Sequence, residues 1–159
     1  MASANRTIDS PAALRYATFV VAGHYFGTDV TQVQEVLRHQ AMTPVPLAPP
    51  VIRGLINLRG QIVTAIEMRQ RLGLPSRGDG EESMNVVVRT EDGVVSLLVD
   101  EIGDVVEGEQ QAFEAPPESL DPVLRSLVSG IYKLKGRLLL VLDIRQTLNL
   151  DAVVGQLAC

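Results

Sequence analysis

Side chains that carry chemistry are scarce in this chain of 159 residues. It has one cysteine, two histidines, no tryptophan and six aromatic rings, three tyrosines and three phenylalanines. A lone cysteine, Cys159, closes no internal disulfide, and without histidines at ligand spacing it builds no zinc site. Such usage fits a reducing cytosol. His24 lies beside a turn glycine and His39 follows Arg38, and neither has a carboxylate or cysteine at ligand spacing. Six rings are few for a protein that stacks bases, and a net charge of −5 argues against a general nucleic-acid binder. The longest uninterrupted apolar run, Leu138 to Leu142, falls far short of the roughly 20 residues that span a bilayer. Met1 to Ala13 mixes Arg6 and Asp9 with small polar residues and lacks the apolar core of a secretory signal. Ser83, Ser96, Ser119, Ser126 and Ser129 stand in no glycine elbow. Gly78-Asp79-Gly80 lacks the lysine and following helix of a phosphate loop. Glu81, Glu82, Glu107 and Glu109 read as solvated charge. No cofactor or metal site is expected, and the absences favour a binding scaffold over an enzyme.

What is present is a succession of short apolar runs, most too short for helices. Tyr16 to Ala22 reads as a strand, and Tyr25 to Val30 as its return after the turn at Gly23. In Thr31 to Leu37, Val33, Val36 and Leu37 fall at i, i+3 and i+4, which predicts a short helix with these residues packed inward or, at the edge, part of an apolar groove. Met42 to Pro50 holds four prolines and reads as an extended edge or loop. Leu55 to Leu58, a turn at Arg59-Gly60, Gln61 to Ile66 and a short helix from Glu67 to Leu72 follow. Pro75 to Ser83 is polar and glycine-rich, a flexible connector. Beyond it, Val86 to Arg89 and Val94 to Asp100 form a hairpin around Glu91-Asp92-Gly93, and Ile102 to Val106 continues the sheet. A helix from Leu120 to Leu127 has Asp121 as N-cap and Pro122 at its first position. Val128 to Leu134, a Lys135-Gly136 turn, Arg137 to Leu142 and a short helix from Asp143 to Leu148 complete the series.

Two of these segments are copies. Ile52 to Leu74 aligns without a gap on Val128 to Leu150 at an offset of 76 residues, with Gly54/Gly130, Leu58/Leu134, Gly60/Gly136, Arg69/Arg145, Gln70/Gln146, Leu72/Leu148 and Leu74/Leu150 identical. The period is too long for a solenoid and indicates two related subdomains packed together. The fold expected is mainly β: two small SH3-like five-stranded β-barrel subdomains with short connecting helices. The first barrel covers 14–74, the connector 75–83 and the second barrel 84–150, with flexible tails at 1–13 and 151–159. Charge divides along the same line. Leu14 to Leu74 carries six arginines against three acidic residues, and Pro75 to Leu150 seven basic residues against fourteen acidic ones. Such asymmetry is either solvated surface or two ends meeting different partners.

Asn57-Leu58-Arg59-Gly60 is the sharpest candidate for binding. A tight turn with glycine holds the backbone, so Arg59 projects from a rigid hairpin and its planar fork can engage a carboxylate at two points. It can otherwise cover its own barrel as an ordinary surface arginine.

Together these residues resemble the CheW family, the coupling proteins of bacterial chemotaxis. The pattern is Tyr16 to Val21; Val33, Glu35 and Val36; Pro44 to Pro50; Gly54-Leu55-Ile56-Asn57-Leu58-Arg59-Gly60; Ile62 to Ile66; Glu67; and Leu72-Gly73. Val99-Asp100 and the Ser129-Gly130 block support it in the second half, so the likeness spans about Leu14 to Leu150. Three positions depart from the pattern: Thr64 where proline is usual, Glu67 where aspartate is more common, and Ser96 where glycine is common. The resemblance implies two SH3-like barrels and a non-catalytic, cytoplasmic adaptor recruited to receptor arrays at the inner face of the membrane. It implies partners in the cytoplasmic tip of chemoreceptors, the regulatory domain of a CheA-type histidine kinase, which has the same fold, and other CheW-like domains. It implies no cofactor, no nucleic acid and no direct membrane insertion. Val33, Arg59 and Gly60 match positions of partner contact, and Glu35 and Gly54 follow them. Fusion to a receiver domain would need more than the nine residues after Leu150. The reading outside the family is a small-barrel module for RNA or oligosaccharide, and a small enzyme comes third.

Overall fold

The computed structural model describes residues 13–150 apart from 79, 110 and 111. Cys159 and the expected tails lie outside the described residues, except that Ala13 already opens the first strand. The order is β1 (Ala13–Val21), β2 (His24–Asp29), a 3-10 turn (Val30–Gln32), β3 (Val33–Leu37), β4 (Ile52–Leu58), β5 (Gln61–Glu67), α1 (Met68–Arg71), β6 (Met84–Thr90) and β7 (Gly93–Val99). It continues with β8 (Glu101–Ile102), β9 (Val106–Glu109), α2 (Pro122–Leu127), β10 (Val128–Leu134), β11 (Arg137–Leu142) and α3 (Ile144–Thr147).

Two of these elements correct the sequence reading. The helix expected over Thr31 to Leu37 is a 3-10 turn followed by strand β3. A register shift between Val33 and Glu35, where β3 meets β6, breaks the two-residue alternation. The resulting apolar spacing imitates a helix. The strand expected over Ile102 to Val106 is instead two short strands, β8 and β9, both pairing with β1. The helix caps agree with expectation: Asp121 accepts the Val123 amide at the start of α2, with Pro122 in the first turn.

The strands form two sheets. One runs β3-β6-β7-β5-β4, and the other β10-β11-β2-β1 with β8 and β9 beyond β1. Each is closed across its gap by an isolated bridge, Thr43 to Leu55 in the first and Glu114 to Ile131 in the second. The division into a barrel of 14–74 and another of 84–150 is therefore corrected. The five-stranded barrel takes its strands from residues 33–99, and the six-stranded barrel from both ends of the chain. The cause is two parallel pairings: β5 runs beside β7 and β11 beside β2. Parallel partners cannot be hairpin neighbours and need a long connection. One repeat therefore joins the hairpin that follows it (β6-β7), and the other joins the hairpin that opens the chain (β1-β2).

The repeated segments themselves follow the same path. β4-β5-α1 and β10-β11-α3 each carry a bulge at the same place, between Ile52 and Gly54 and between Val128 and Gly130. Glu67 and Asp143 cap the helices that follow. Gly54 is required where the closing segment crosses: a Cβ there would stand 2.7 Å from the Thr43 carbonyl oxygen.

Burial explains the apolar runs. Tyr16, Tyr25, Tyr132, Leu139 and Val141 fill the six-stranded barrel. Ile56, Leu58, Val63, Ala65, Val87 and Leu98 fill the five-stranded one. A third and larger cluster lies between the barrels and includes Phe19, Phe26, Val86, Val88, Leu97, Val99, Leu140 and Leu142. Strands β6, β7 and β11 are thus buried on both faces, and such strands read as continuous apolar stretches.

The connector 75–83 is not simply solvated. Arg77 is buried against both Glu67 and Asp100, and Ser83 is buried too. The proline-rich segment turns between Val45 and Ala48, with an Ala48 N–H donating to the Val45 carbonyl at 3.2 Å. Pro46 and Leu47 occupy the corner, and Leu47 has φ +64°. A non-glycine residue in that region costs about 1–3 kcal/mol.

Candidate functional site

The candidate residues gather at the open edges of the five-stranded barrel. β3 and β4 are the terminal strands of the sheet, and the Arg59 guanidinium, beyond the end of β4, reaches the Glu35 carboxylate on β3. The pair therefore spans the seam of the barrel. Arg59 donates to Glu35 through Nη2, and among the described residues its Nε and Nη1 have no acceptor. Arg59 itself is 70% exposed at the side chain. The Arg59 hydrogen bond, with a weaker one from Gln34, holds the Glu35 carboxyl below the usual carboxylate range. Gln34 extends the chain, donating to Glu35 at 3.4 Å and accepting from Arg89 Nη2 at 2.7 Å. A polar line thus crosses β6, β3 and the β4-β5 turn.

The turn is rigid for a local reason. Arg59 has φ +51° and Gly60 φ +91°, the signature of a tight turn matched to strand twist. Asn57 Oδ1 accepts the Gly60 N–H at 2.8 Å. In the other repeat Gly136 has φ +87° while Lys135 stays out of the left-handed region, so the two hairpins present their cations differently.

The remaining candidates separate by role. Gly60 is exposed with open space around it, Gly54 is buried beneath the Thr43 backbone, and Val33 packs half-buried against the inter-barrel core. Leu37 packs against the core of the five-stranded barrel, and Val36 is the exposed apolar residue of β3. Ser96, at the position where glycine is common, is buried and donates to Asn85 Oδ1 at 2.8 Å.

Sequence reasoning missed an ionic cluster at the junction of the barrels. Asp100, between β7 and β8, accepts the Ala22 N–H at 2.7 Å from the β1-β2 turn. It also accepts two bonds from Arg69, Nε at 3.1 Å and Nη2 at 2.7 Å, and one from Arg77. Arg77 donates further to Glu67 at 2.9 Å. Two guanidinium groups and two carboxylates thus balance, and Asp100 ties one barrel's turn to the other barrel's helix. Burial pushes the Asp100 carboxyl up, but Arg69, the Ala22 amide and Arg77 together hold it below the usual aspartate range. The forward signals were the Arg69/Arg145 identity in the repeat and the places of Glu67 and Asp100 in the family pattern. Arg145 in fact pairs at the surface with Glu91. A second tie joins the repeats: Arg71 on α1 donates to the carbonyls of Thr147, Gln146 and Asn149 at the end of α3.

Two small closed sheets sharing a middle core, with charged groups and a rigid turn at one rim, define a binding scaffold built from paired barrels. Comparison with known proteins gives this class its family. Residues 15–152 match the model of the CheW-like domain. The chain is 32% identical to the chemotaxis protein CheW of Bacillus subtilis over 134 residues, covering 84% of this chain and 86% of that one. It is 27% identical to the chemotaxis protein CheW of Treponema pallidum, covering 81% and 78%. In structure it is similar to the scaffolding protein TtCheW from Thermoanaerobacter tengcongensis, with a TM-score of 0.78, 26% identity and coverage of 89% and 91%. The chain belongs to the CheW family, and its role is that of a non-catalytic chemotaxis adaptor. Among the described residues no helix is long and apolar enough to cross a membrane.

Proposed function

We propose that this chain couples the cytoplasmic tips of chemoreceptors to the regulatory domain of a CheA-type histidine kinase, through the rim built from Val33, Glu35, Gly54, Arg59 and Gly60. It works in the cytoplasm, recruited to receptor arrays at the inner face of the membrane, where other CheW-like domains can be further neighbours. The observation that carries the reading is the Glu35–Arg59 pair. Glu35 orders the guanidinium in advance and leaves two of its nitrogens for a partner carboxylate, so little side-chain freedom remains to be lost on binding. Gly54 supports the rim through the Thr43 crossing, and Val33 through the core.

Residues 33–99, which supply the five-stranded barrel, carry seven basic and seven acidic residues, so the charge division of the sequence does not mark two opposite faces. RNA binding is disfavoured by the fold. Five of the six aromatic rings are buried, and Phe113 alone is exposed, at 38%. That is no stacking platform.

Titrations of receptor tip and kinase regulatory domain against folded variants test the proposal. Arg59→Ala is expected to weaken coupling about ten- to a hundredfold. Arg59→Lys is expected to recover part of it, and Lys135→Ala to change little. Equal affinities for Arg59→Ala and the parent would overturn the assignment of the rim.

A further inference from the structure

Two buried polar side chains stand among the apolar residues that fill the five-stranded barrel. Asn85 on β6 pairs with Leu98 and Ser96 on β7 with Val87, so both share the face of those core residues. They are 1% and 0% exposed. Ser96 donates to Asn85 Oδ1 at 2.8 Å, and Asn85 Nδ2 donates to the Arg38 carbonyl at 3.1 Å. The first bond fixes which way the amide faces, and the second holds the residue that follows β3. Burying such a pair adds little stability over apolar groups of the same shape. The best-attested use of a satisfied polar group in a core is to fix one register among several. Ser96 also stands where glycine is common in the family, and glycine has no hydroxyl to give, so the donor belongs to this chain and not to the fold.

Strand β3 needs a device of this kind. Leu37, Val36 and Glu35 pair with Asn85, Val86 and Val87, and the register then shifts so that Val33 pairs with Val88. Gln34 is the extra residue, held by Arg89 Nη2 at 2.7 Å. A strand of five residues at the end of its sheet, with two registers side by side, is weakly fixed. A slip of one residue would set Glu35 opposite Val86, on the other face of the sheet and away from Arg59. The Asn85 bond to Arg38 opposes that slip, because it forms with Leu37 opposite Asn85. We infer that Asn85 and Ser96 are positioning residues of the rim, which lock β3 in the register that turns Glu35 toward Arg59. The inference deepens the coupling function proposed above and rests on it for its purpose, while the lock itself can be measured without any partner.

The test replaces both members at once, Asn85→Leu with Ser96→Ala. The Arg38 carbonyl keeps the Gln40 Nε2 donor at 3.0 Å, so no acceptor is orphaned and unfolding is expected near the parent's temperature. Carboxyl NMR is expected to find the Glu35 midpoint below the ordinary range in the parent and back toward it in the double variant. Amide exchange is expected to rise at Glu35 to Leu37 and to stay unchanged in β7. Binding of the receptor tip and the kinase regulatory domain is expected to weaken about two- to tenfold, the range for one hydrogen bond. Arg59→Ala should then cost less in this background than in the parent. Ser96→Ala alone, which keeps the Asn85–Arg38 bond, is expected to shift each readout part of the way, and it decides the matter if the double variant does not fold. A parent-like Glu35 midpoint and parent-like exchange in β3 would overturn the lock, and so would exchange rising equally across β7, the mark of general destabilisation. A shifted Glu35 with parent-like partner affinities would overturn its service to the rim. Failure of the parent to bind either partner would refute the coupling function and leave the lock to be decided by the NMR and exchange results.

Discussion

Removing the Asp100 carboxylate perturbs both barrels at once. The group accepts four hydrogen bonds, from the Ala22 amide, twice from Arg69 and once from Arg77. Its side chain is 16% exposed and that of Arg77 7%, so water screens the cluster little. In Asp100→Ala, Glu67 is the one carboxylate of the cluster left to Arg69 and Arg77, Arg69 keeps the Pro75 and Ser76 carbonyls, and the Ala22 amide loses its acceptor. Removing one member of a buried ion pair costs about 3–5 kcal/mol. For a domain of this size each kcal/mol lowers the melting temperature by about 2–4 °C, so a fall on the order of 10 °C is expected. Arg145→Ala is the internal control, because its pair with Glu91 is exposed on both sides, and such a pair contributes about 0–1 kcal/mol. Thermal and urea unfolding followed by circular dichroism measure both variants. The pH dependence adds an independent reading. Asp100 is held below its ordinary range in the native state, so its contribution is whole above the unfolded value of about 3.9 and is lost as pH falls through the native value. Asp100→Asn keeps an acceptor for Ala22 but should flatten that acid limb. Equal stabilities for Asp100→Ala and Arg145→Ala, or an unchanged acid limb in Asp100→Asn, would refute the cluster as the tie between the barrels.

Three further outcomes are expected. Gly54→Ala should destabilise by about 2 kcal/mol in urea titration, because its Cβ meets Thr43 backbone, whereas Gly130→Ala meets the partly exposed Phe113 ring, which can swing aside, and should cost less. Arg71→Ala should cost about 1.5–3 kcal/mol by removing a charged donor from the end of α3, and hydrogen exchange should rise first at Thr147 to Asn149. Burial and the hydroxyl of Tyr132 push the Tyr16 phenol well above its ordinary value, so the parent should lose stability as pH rises above about 10, and Tyr16→Phe should remove most of that slope.

Much of the architecture is written in short stretches of chain. The hairpins and the cap at Asp121 depend on neighbours within a few residues and were legible from residue type and spacing, and the 76-residue repeat was legible by aligning the chain with itself. So was the rigid presentation of Arg59, since the turn that holds it is local. What the turn presents Arg59 to was not legible: the carboxylate is Glu35, 24 residues earlier in the chain and on the opposite edge of the sheet. The same limit hid the exchange of strands between the halves. The pairings of β5 with β7 and of β11 with β2 are parallel and distant, and a strand's apolar pattern names the face it buries without naming its neighbour. β3 misled because a bulge at Val33–Glu35 shifts its alternation to a helical spacing. Arg77 looked like one charge in a polar connector, and only the packed barrels bring Glu67 and Asp100 within its reach and withdraw all three from water. Local backbone preference belongs to the sequence. Which distant charges and strand edges meet is decided by tertiary structure, because burying the core between the barrels selects one arrangement of segments that separately have many.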